Sequence, residues 1–99
     1  INFGTIEING TSSNKSTLEN NTSSNIENWG TIKIGQYGRL ILDSADSTMT
    51  NKAGGTITNN GEMKIRTTAT FTNSGATSGT APTNGVGGSG TVSGTAWGS

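Results

Sequence analysis

The stretch TLENNTSSNIENWGTIKI, residues 17–34, recurs without a gap as TMTNKAGGTITNNGEMKI, residues 48–65, at an offset of 31 positions. A shorter copy opens the chain, because NFGTIEI at residues 2–8 matches NWGTIKI at residues 28–34 at an offset of 26. Self-similarity at a period of about 20 to 50 residues is typical of proteins built from stacked repeats. The sequence therefore predicts a repeat architecture.

The repeated unit alternates apolar and polar residues, which is the period of a β-strand. In the opening copy, Ile6 and Ile8 face one side and Thr5 and Glu7 the other. Asn and Gly follow the apolar positions and indicate corners, because Asn tolerates left-handed backbone and Gly adopts positive φ freely. With 22 to 31 residues per turn, the pattern predicts an all-β fold, a short right-handed parallel β-helix (β-solenoid) of about four coils.

The prediction divides the chain into two parts. Residues 1–75 form the solenoid coils, with a projecting loop at residues 9–17, and Phe71 to Asn73 open the fourth coil. Residues 76–99 are rich in Gly, Ser and Thr and offer few apolar side chains, which are Val86, Val92 and Trp97. Such composition is typical of an extended segment. We expect this tail to pair with a neighbouring subunit.

Stacking at the offsets above places equivalent residues in columns. The predicted inward columns are Ile6, Ile32 and Met63, and Ile8, Ile34 and Ile65. The predicted outward column is Glu7, Lys33 and Lys64; an amide ladder joins Asn20, Asn51 and Asn73; and a corner column holds Phe3, Trp29 and Asn60. The segment around Leu40 and Leu42 is predicted to be an added strand of the second coil.

The composition excludes several kinds of chemistry. The 99 residues carry no net charge and include neither Cys nor His, so a thiol metal site and the commonest general base are absent. The sequence has no basic patch and no apolar run near 18 residues, so we expect no cofactor, no nucleic-acid partner and no membrane span. Because the chain begins at Ile1, we interpret it as a processed or excised piece of a secreted protein.

The motif Asn-x-Gly-Thr-Ile-x-Ile at residues 2–8 and 28–34, with its relative at residues 59–65, resembles right-handed parallel β-helix regions of bacterial surface and secreted proteins. Autotransporter passengers and filamentous-haemagglutinin-like adhesins are examples. The resemblance covers about residues 1–75. It implies a β-solenoid and an extracellular or bacterial cell-surface location, whereas function varies widely among proteins with such coils.

Aromatic side chains are the candidate contact residues. Phe3, Trp29, Tyr37 and Trp97 could stack on sugar rings of a glycan or cover a neighbouring subunit, because both contacts use exposed apolar surface.

Asp43 and Asp46, with Arg39 nearby and Arg66 on the next coil, are the best catalytic constellation in the chain. The same two aspartates offer oxygen ligands for calcium. Nothing in the sequence fixes their separation at the distance that paired catalytic carboxylates need. We therefore predict that the chain is not an enzyme and assign it no metal.

The leading functional hypothesis is a structural subunit of an extracellular fibre or cell-surface adhesin. It would act by end-to-end stacking of solenoids and by tail exchange, because the unpaired strand edges of the terminal coils need partners. The expected partner is a second copy of the chain. The alternative is a carbohydrate-binding module, or a fragment of a β-helix polysaccharide-processing protein, with surface glycans as partners.

Overall fold

The computed structural model describes residues 1–44, 46–66, 68–84 and 90–98. The described residues form strands and turns without a helix. The strands are β1 (Thr5–Ile8), β2 (Ser16–Asn20), β3 (Asn25–Asn28), β4 (Thr31–Ile34), β5 (Gly38–Leu42), β6 (Thr48–Asn51), β7 (Thr56–Asn59), β8 (Glu62–Ile65), β9 (Thr70–Asn73), β10 (Ala76–Gly79), β11 (Thr83–Asn84) and β12 (Thr91–Gly94).

These strands build three parallel sheets. Sheet 1 has the order β1-β4-β7-β10, sheet 2 has β2-β5-β8-β11, and sheet 3 has β3-β6-β9-β12. Consecutive strands in the chain therefore lie in different sheets, and every third strand returns to the same sheet one level further on. Coil 1 comprises β1 to β3, coil 2 β4 to β6, coil 3 β7 to β9 and coil 4 β10 to β12. The predicted β-solenoid of about four coils is confirmed.

The interior is a continuous apolar column. Strands β6 to β9 alternate between half-buried and buried residues, as a period of two requires. The buried apolar cluster consists of Ile8, Ile32, Ile34, Leu40, Leu42, Met49, Ile57, Met63, Ile65, Ala69 and Phe71. Every residue that was predicted to face inward in coils 2 and 3 is in this cluster.

The register between coils corrects the longer repeat. Ile6 pairs with Ile32 at the predicted offset of 26, but Ile32 pairs with Ile57 and not with Met63. An offset of 31 residues leads from β4 to β8, which is one coil and one side further along the chain. The three sides of the solenoid have similar strand patterns. The 31-residue repeat therefore aligned a strand of sheet 1 with a strand of sheet 2, which do not pair with each other.

The same correction moves the other predicted columns. Met63 lies beside Leu40, and Ile65 lies beside Leu42, all in sheet 2. Lys33 lies between Glu7 and Thr58, and Lys64 lies beside Ile41. Strand β5, predicted as an addition to coil 2, is its regular middle side, because it pairs with β2 and β8. The loop predicted for residues 9–17 is shorter, because β2 begins at Ser16.

The fourth coil comes from the segment that was predicted to be a tail, whereas Phe71 to Asn73, predicted to open that coil, lie in β9 at the end of coil 3. Strands β10, β11 and β12 pair with β7, β8 and β9 of the same chain. Parallel pairing uses backbone groups, so small polar residues are sufficient to form the strands of this coil. In β10 the buried side chain of Thr77 lies beside Ile57. The solenoid thus continues beyond residue 75. Val86 lies outside the described residues, and contact of this segment with a neighbouring subunit stays a prediction.

Candidate functional site

A ladder of asparagine side chains runs along one corner of the solenoid, where sheet 3 meets sheet 1. The Nδ2 groups of Asn2, Asn28 and Asn51 each donate a hydrogen bond of 2.9 Å to the Oδ1 atom of the next member, and Asn73 is the last acceptor. The predicted ladder was right for Asn51 and Asn73 and wrong for Asn20. Asn20 lies beside Leu42 in sheet 2 and donates to the backbone oxygen of Ser24 at 2.7 Å.

An aromatic column stands on the outside of the same corner. The rings of Phe3 and Trp29 stack with their centroids 6.2 Å apart and their planes 25° from parallel. Next in the column is Lys52, whose backbone nitrogen donates to the oxygen of Asn28 and whose Nζ lies 5.3 Å from the centre of the Trp29 ring. Asn60, predicted for this column, lies at another corner, where its nitrogen donates to Ile34.

The neighbours of Trp29 limit what this column can bind. Trp29 belongs to coil 2 and lies between Phe3 of coil 1 and Lys52 of coil 3, so a neighbour stands on each side of the indole. Its Nε1 atom donates to Oε1 of Glu27 at 3.2 Å, which fixes the ring further. The exposed fractions are 76% for Phe3 and 44% for Trp29. The outer face of Phe3 is therefore the accessible aromatic surface of the column.

The other two candidate aromatic residues lie elsewhere. Tyr37 is half-buried in the turn before β5, and its backbone oxygen accepts a hydrogen bond from Ser16. Trp97 is half-buried against the apolar cluster, with its ring centroid 6.2 Å from that of Phe71 and its Nε1 donating to the oxygen of Gly79 at 3.0 Å. The four residues therefore do not form one surface.

The N-terminal end of the solenoid, formed by strands β1, β2 and β3, exposes part of the core. Each of these strands stands at the end of its sheet, and such a strand has backbone groups without ladder partners on its outer side. Their inward side chains Ile6, Leu18 and Ile26 are only partly buried. The residues paired with them in coil 2, which are Ile32, Leu40 and Met49, have no exposed surface.

The C-terminal end differs because the chain folds back across it. Trp97 covers Phe71, and the backbone nitrogen of Gly98 donates to Oγ1 of the buried Thr77 at 2.9 Å. Val92, which pairs with Phe71, remains 51% exposed. Residues 97–98 thus form a partial cap over the last coil, which the Gly-rich sequence did not reveal.

The candidate carboxylates are arranged differently from the sequence expectation. Oδ1 of Asp43 lies 2.9 Å from Nε of Arg66. A hydrogen bond between the carboxyl groups of Glu19 and Asp43 raises the pKa of Glu19 above its ordinary value, with desolvation adding to the shift and Arg66 opposing it. The structure therefore joins Asp43 to Glu19, whereas Asp46 is exposed. Glu19 is distant from Asp43 in the sequence and showed no sign of this role there, because only the pairing of β2 with β5 brings it to this corner.

The described residues contain no cluster of three or more acidic side chains that could hold a metal ion, and their surface has no pocket. The described part of the chain also lacks any helix with the length and apolar character that a membrane span requires. Comparison of the chain with protein-family models, with curated proteins and with solved structures finds no match.

Proposed function

We propose that this chain is a structural β-solenoid subunit of an extracellular fibre or a bacterial cell-surface adhesin, and that it acts by stacking its N-terminal end on another coil. The observation that carries the proposal is the open core at that end. Ile6, Leu18 and Ile26 are partly exposed, while the same positions one coil further in are fully buried. A further coil would bury them in the same way.

The expected gain in free energy is substantial. Complete burial of an Ile or Leu side chain is worth about 1.5 to 3 kcal/mol, and three such side chains are only partly covered at the N-terminal end. A stacked coil would also supply ladder partners for the edge strands. Sheets with open edges tend to pair with other strands, so stacking is the interaction that this end favours.

The location belongs to the same proposal. The motif at residues 2–8 and 28–34 resembles bacterial surface and secreted β-helices, and this supports an extracellular or cell-surface setting. Tail exchange is no longer needed for assembly, because strands β10 to β12 pair within the chain. The proposal assigns no catalytic role, since Asp43 is engaged by Arg66.

The test adds one coil to the N-terminal end. A copy of residues 1–26, with Glu7→Lys and Glu19→Lys in the copy, is fused directly before Ile1, which reproduces the 26-residue offset between β1 and β4. We expect the thermal midpoint of unfolding to rise by about 5 °C or more, because 1 kcal/mol corresponds to about 4 to 8 °C at this size. Amide protons of β1 should also exchange more slowly.

The control carries the same 26 added residues in scrambled order. It should leave the midpoint and the exchange of β1 unchanged, because scrambling removes the inward alternation that lets a coil stack. If the ordered coil gives no more protection than the scrambled one, the N-terminal end does not accept coils and the proposal is wrong.

The exposed stack of Phe3 and Trp29 favours a second candidate function, a carbohydrate-binding module. Aromatic rings bind sugars through their faces, and the outer face of Phe3 is accessible. Titration of a Trp97→Phe variant with oligosaccharides, followed by the fluorescence of Trp29, tests this candidate. Binding that disappears in a Phe3→Ala variant would support it, and an unchanged spectrum across neutral and acidic oligosaccharides would reject it.

A further inference from the structure

The asparagine ladder has a direction. Asn2, Asn28 and Asn51 each donate their Nδ2 group to the next Oδ1 towards the C-terminal end, and Asn73 donates to the backbone oxygen of Thr95 at 3.2 Å. The Oδ1 atoms of Asn28, Asn51 and Asn73 therefore each accept the amide of a preceding Asn. Oδ1 of Asn2 accepts only the backbone nitrogen of Gly4 in the described structure. An amide oxygen has two lone pairs, so Asn2 can accept one more donor.

The C-terminal end does not supply that donor. The position after Asn73 in the ladder is Gly94, which has no side chain and a φ of 90°. In sheet 1 the position beside Asn59 is likewise a glycine, Gly79, with a φ of 82°. Trp97 packs against Phe71, and its Nε1 atom donates to the oxygen of Gly79. A second copy that approached with this end would bring a glycine, and no side-chain amide, to the ladder position, together with a partly covered interior.

The charged residues within the three strands of the N-terminal end are of one sign. The outward residues of β1, β2 and β3 include Glu7, Glu19 and Glu27 and no Lys or Arg. In coil 2 the residue beside Glu7 is Lys33, which gives an opposite-charge neighbour. Two copies that met at their N-terminal ends would bring these glutamates together. They would also bring two Asn2 oxygens together without a donor.

We infer that the N-terminal end binds a parallel β-solenoid coil of a different sequence, and not a second copy of this chain. The inference rests on the proposed function and names the partner. That coil carries an Asn whose amide donates to Asn2, basic side chains beside Glu7 and Glu19, and an apolar or aromatic residue on the outer face of Phe3. The ladder then runs from that added Asn through Asn2 to Asn73 and stops there, because Gly94 takes the next position.

Three fusion proteins test the inference. Each carries an added copy of residues 1–26 before Ile1: the first with Glu7→Lys and Glu19→Lys in the copy, the second with the copy unchanged, and the third with the two lysines and Asn2→Leu in the copy. We expect the first to unfold about 5 °C above the second, because like charges directly opposite destabilise a sheet. The third should unfold below the first, because it leaves Asn2 without the added donor.

Measurements at low and high salt distinguish the effect of the charges on the unfolding midpoint from the effect of the Asn2 hydrogen bond. The difference between the first and second proteins should shrink in 1 M NaCl, where the screening length falls to about 3 Å, whereas the difference between the first and third should persist. Sedimentation velocity of the unmodified chain should show a monomer at about 100 μM. This concentration is well above the dissociation constants of typical specific complexes.

Two results would overturn the inference. The first is equal midpoints for the lysine and glutamate versions at low salt, and the second is a dimer or filament formed by the unmodified chain. The proposed function fails in a different way, namely when no ordered coil gives more protection than the scrambled control. The two failures are therefore distinguishable within one set of proteins.

Discussion

The side-chain amide of Asn51 donates a hydrogen bond of 2.9 Å to the side-chain oxygen of Asn73, and neither side chain has more than 1% of its surface exposed. A buried amide without partners is costly. The ladder removes that cost because Asn51 also accepts from Asn28 and donates towards the oxygens of Gly55 and Ala76. One residue thereby connects three coils at a corner of the solenoid.

We predict that Asn51→Ala lowers the free energy of unfolding by about 3 kcal/mol. The substitution removes the four hydrogen bonds of the Asn51 side chain, and a typical hydrogen bond contributes about 0.5 to 1.5 kcal/mol. Urea denaturation measures the change. Asn60→Ala, at an exposed corner, is the matched control and should change stability by less than about 0.5 kcal/mol. Equal effects of the two substitutions would contradict the structural role of the ladder.

Removal of the Trp97 ring should loosen the last coil. We predict that Trp97→Ala lowers stability by about 2 kcal/mol, less than a fully buried Trp would cost, because the ring is only partly buried against Phe71. Hydrogen exchange should accelerate in β10 and β12 and stay unchanged in β4. Trp29→Ala, which removes the more exposed indole, should not change exchange in coil 4.

Close contact between coils requires a glycine at the start of β5. A Cβ atom at Gly38 would lie 2.0 Å from the backbone oxygen of Ile8, whereas a Cβ atom at Gly4 would have no neighbour within 4 Å. We predict that Gly38→Ala costs about 2 to 3 kcal/mol through overpacking, and that Gly4→Ala changes stability by less than about 0.5 kcal/mol. Thermal unfolding of both variants tests the difference, and a Gly38→Ala protein as stable as the parent would show that coils 1 and 2 can separate there.

The carboxyl pair of Glu19 and Asp43 should make stability depend on pH. The pKa of Glu19 in the folded protein lies above its ordinary value of 4.5. At pH values between the ordinary pKa and the raised pKa, the folded state therefore binds more protons than the unfolded state. Stability therefore falls as the pH rises through this window. We predict that Glu19→Gln removes that loss, so that the variant gains stability relative to the parent at pH 7 and not at pH 3.

Denaturant unfolding at the two pH values measures this effect. Glu7→Gln is the control, because it removes an outward glutamate whose neighbour is Lys33 and so should not stabilise the protein at pH 7. The prediction is contradicted if the stability of Glu19→Gln relative to the parent is the same at pH 3 and pH 7. That result would show that the attraction of Glu19 to the arginine side chains outweighs the repulsion from Asp43.

The local alternation of apolar and polar residues was sufficient to predict which residues on each side of the solenoid face inward. The alternation in Ile6 and Ile8 or Ile32 and Ile34 identified inward residues correctly, because the two faces of a strand differ in their contact with water. The offset of 26 between residues 2–8 and 28–34 gave the correct pairing of β1 with β4. The contact of Phe3 with Trp29 followed from that offset.

The sequence by itself thus determined that the chain forms short strands with Asn and Gly corners, and which side chains face the core. Only the tertiary structure decided which strand stacks on which, and with it the place of Met63 beside Leu40, the members of the ladder and the meeting of Glu19 with Asp43. The physical reason is that all three sides obey the same period of two. Their order around the coil is fixed only when the three sheets close together, which also orders the Gly-rich fourth coil through backbone pairing.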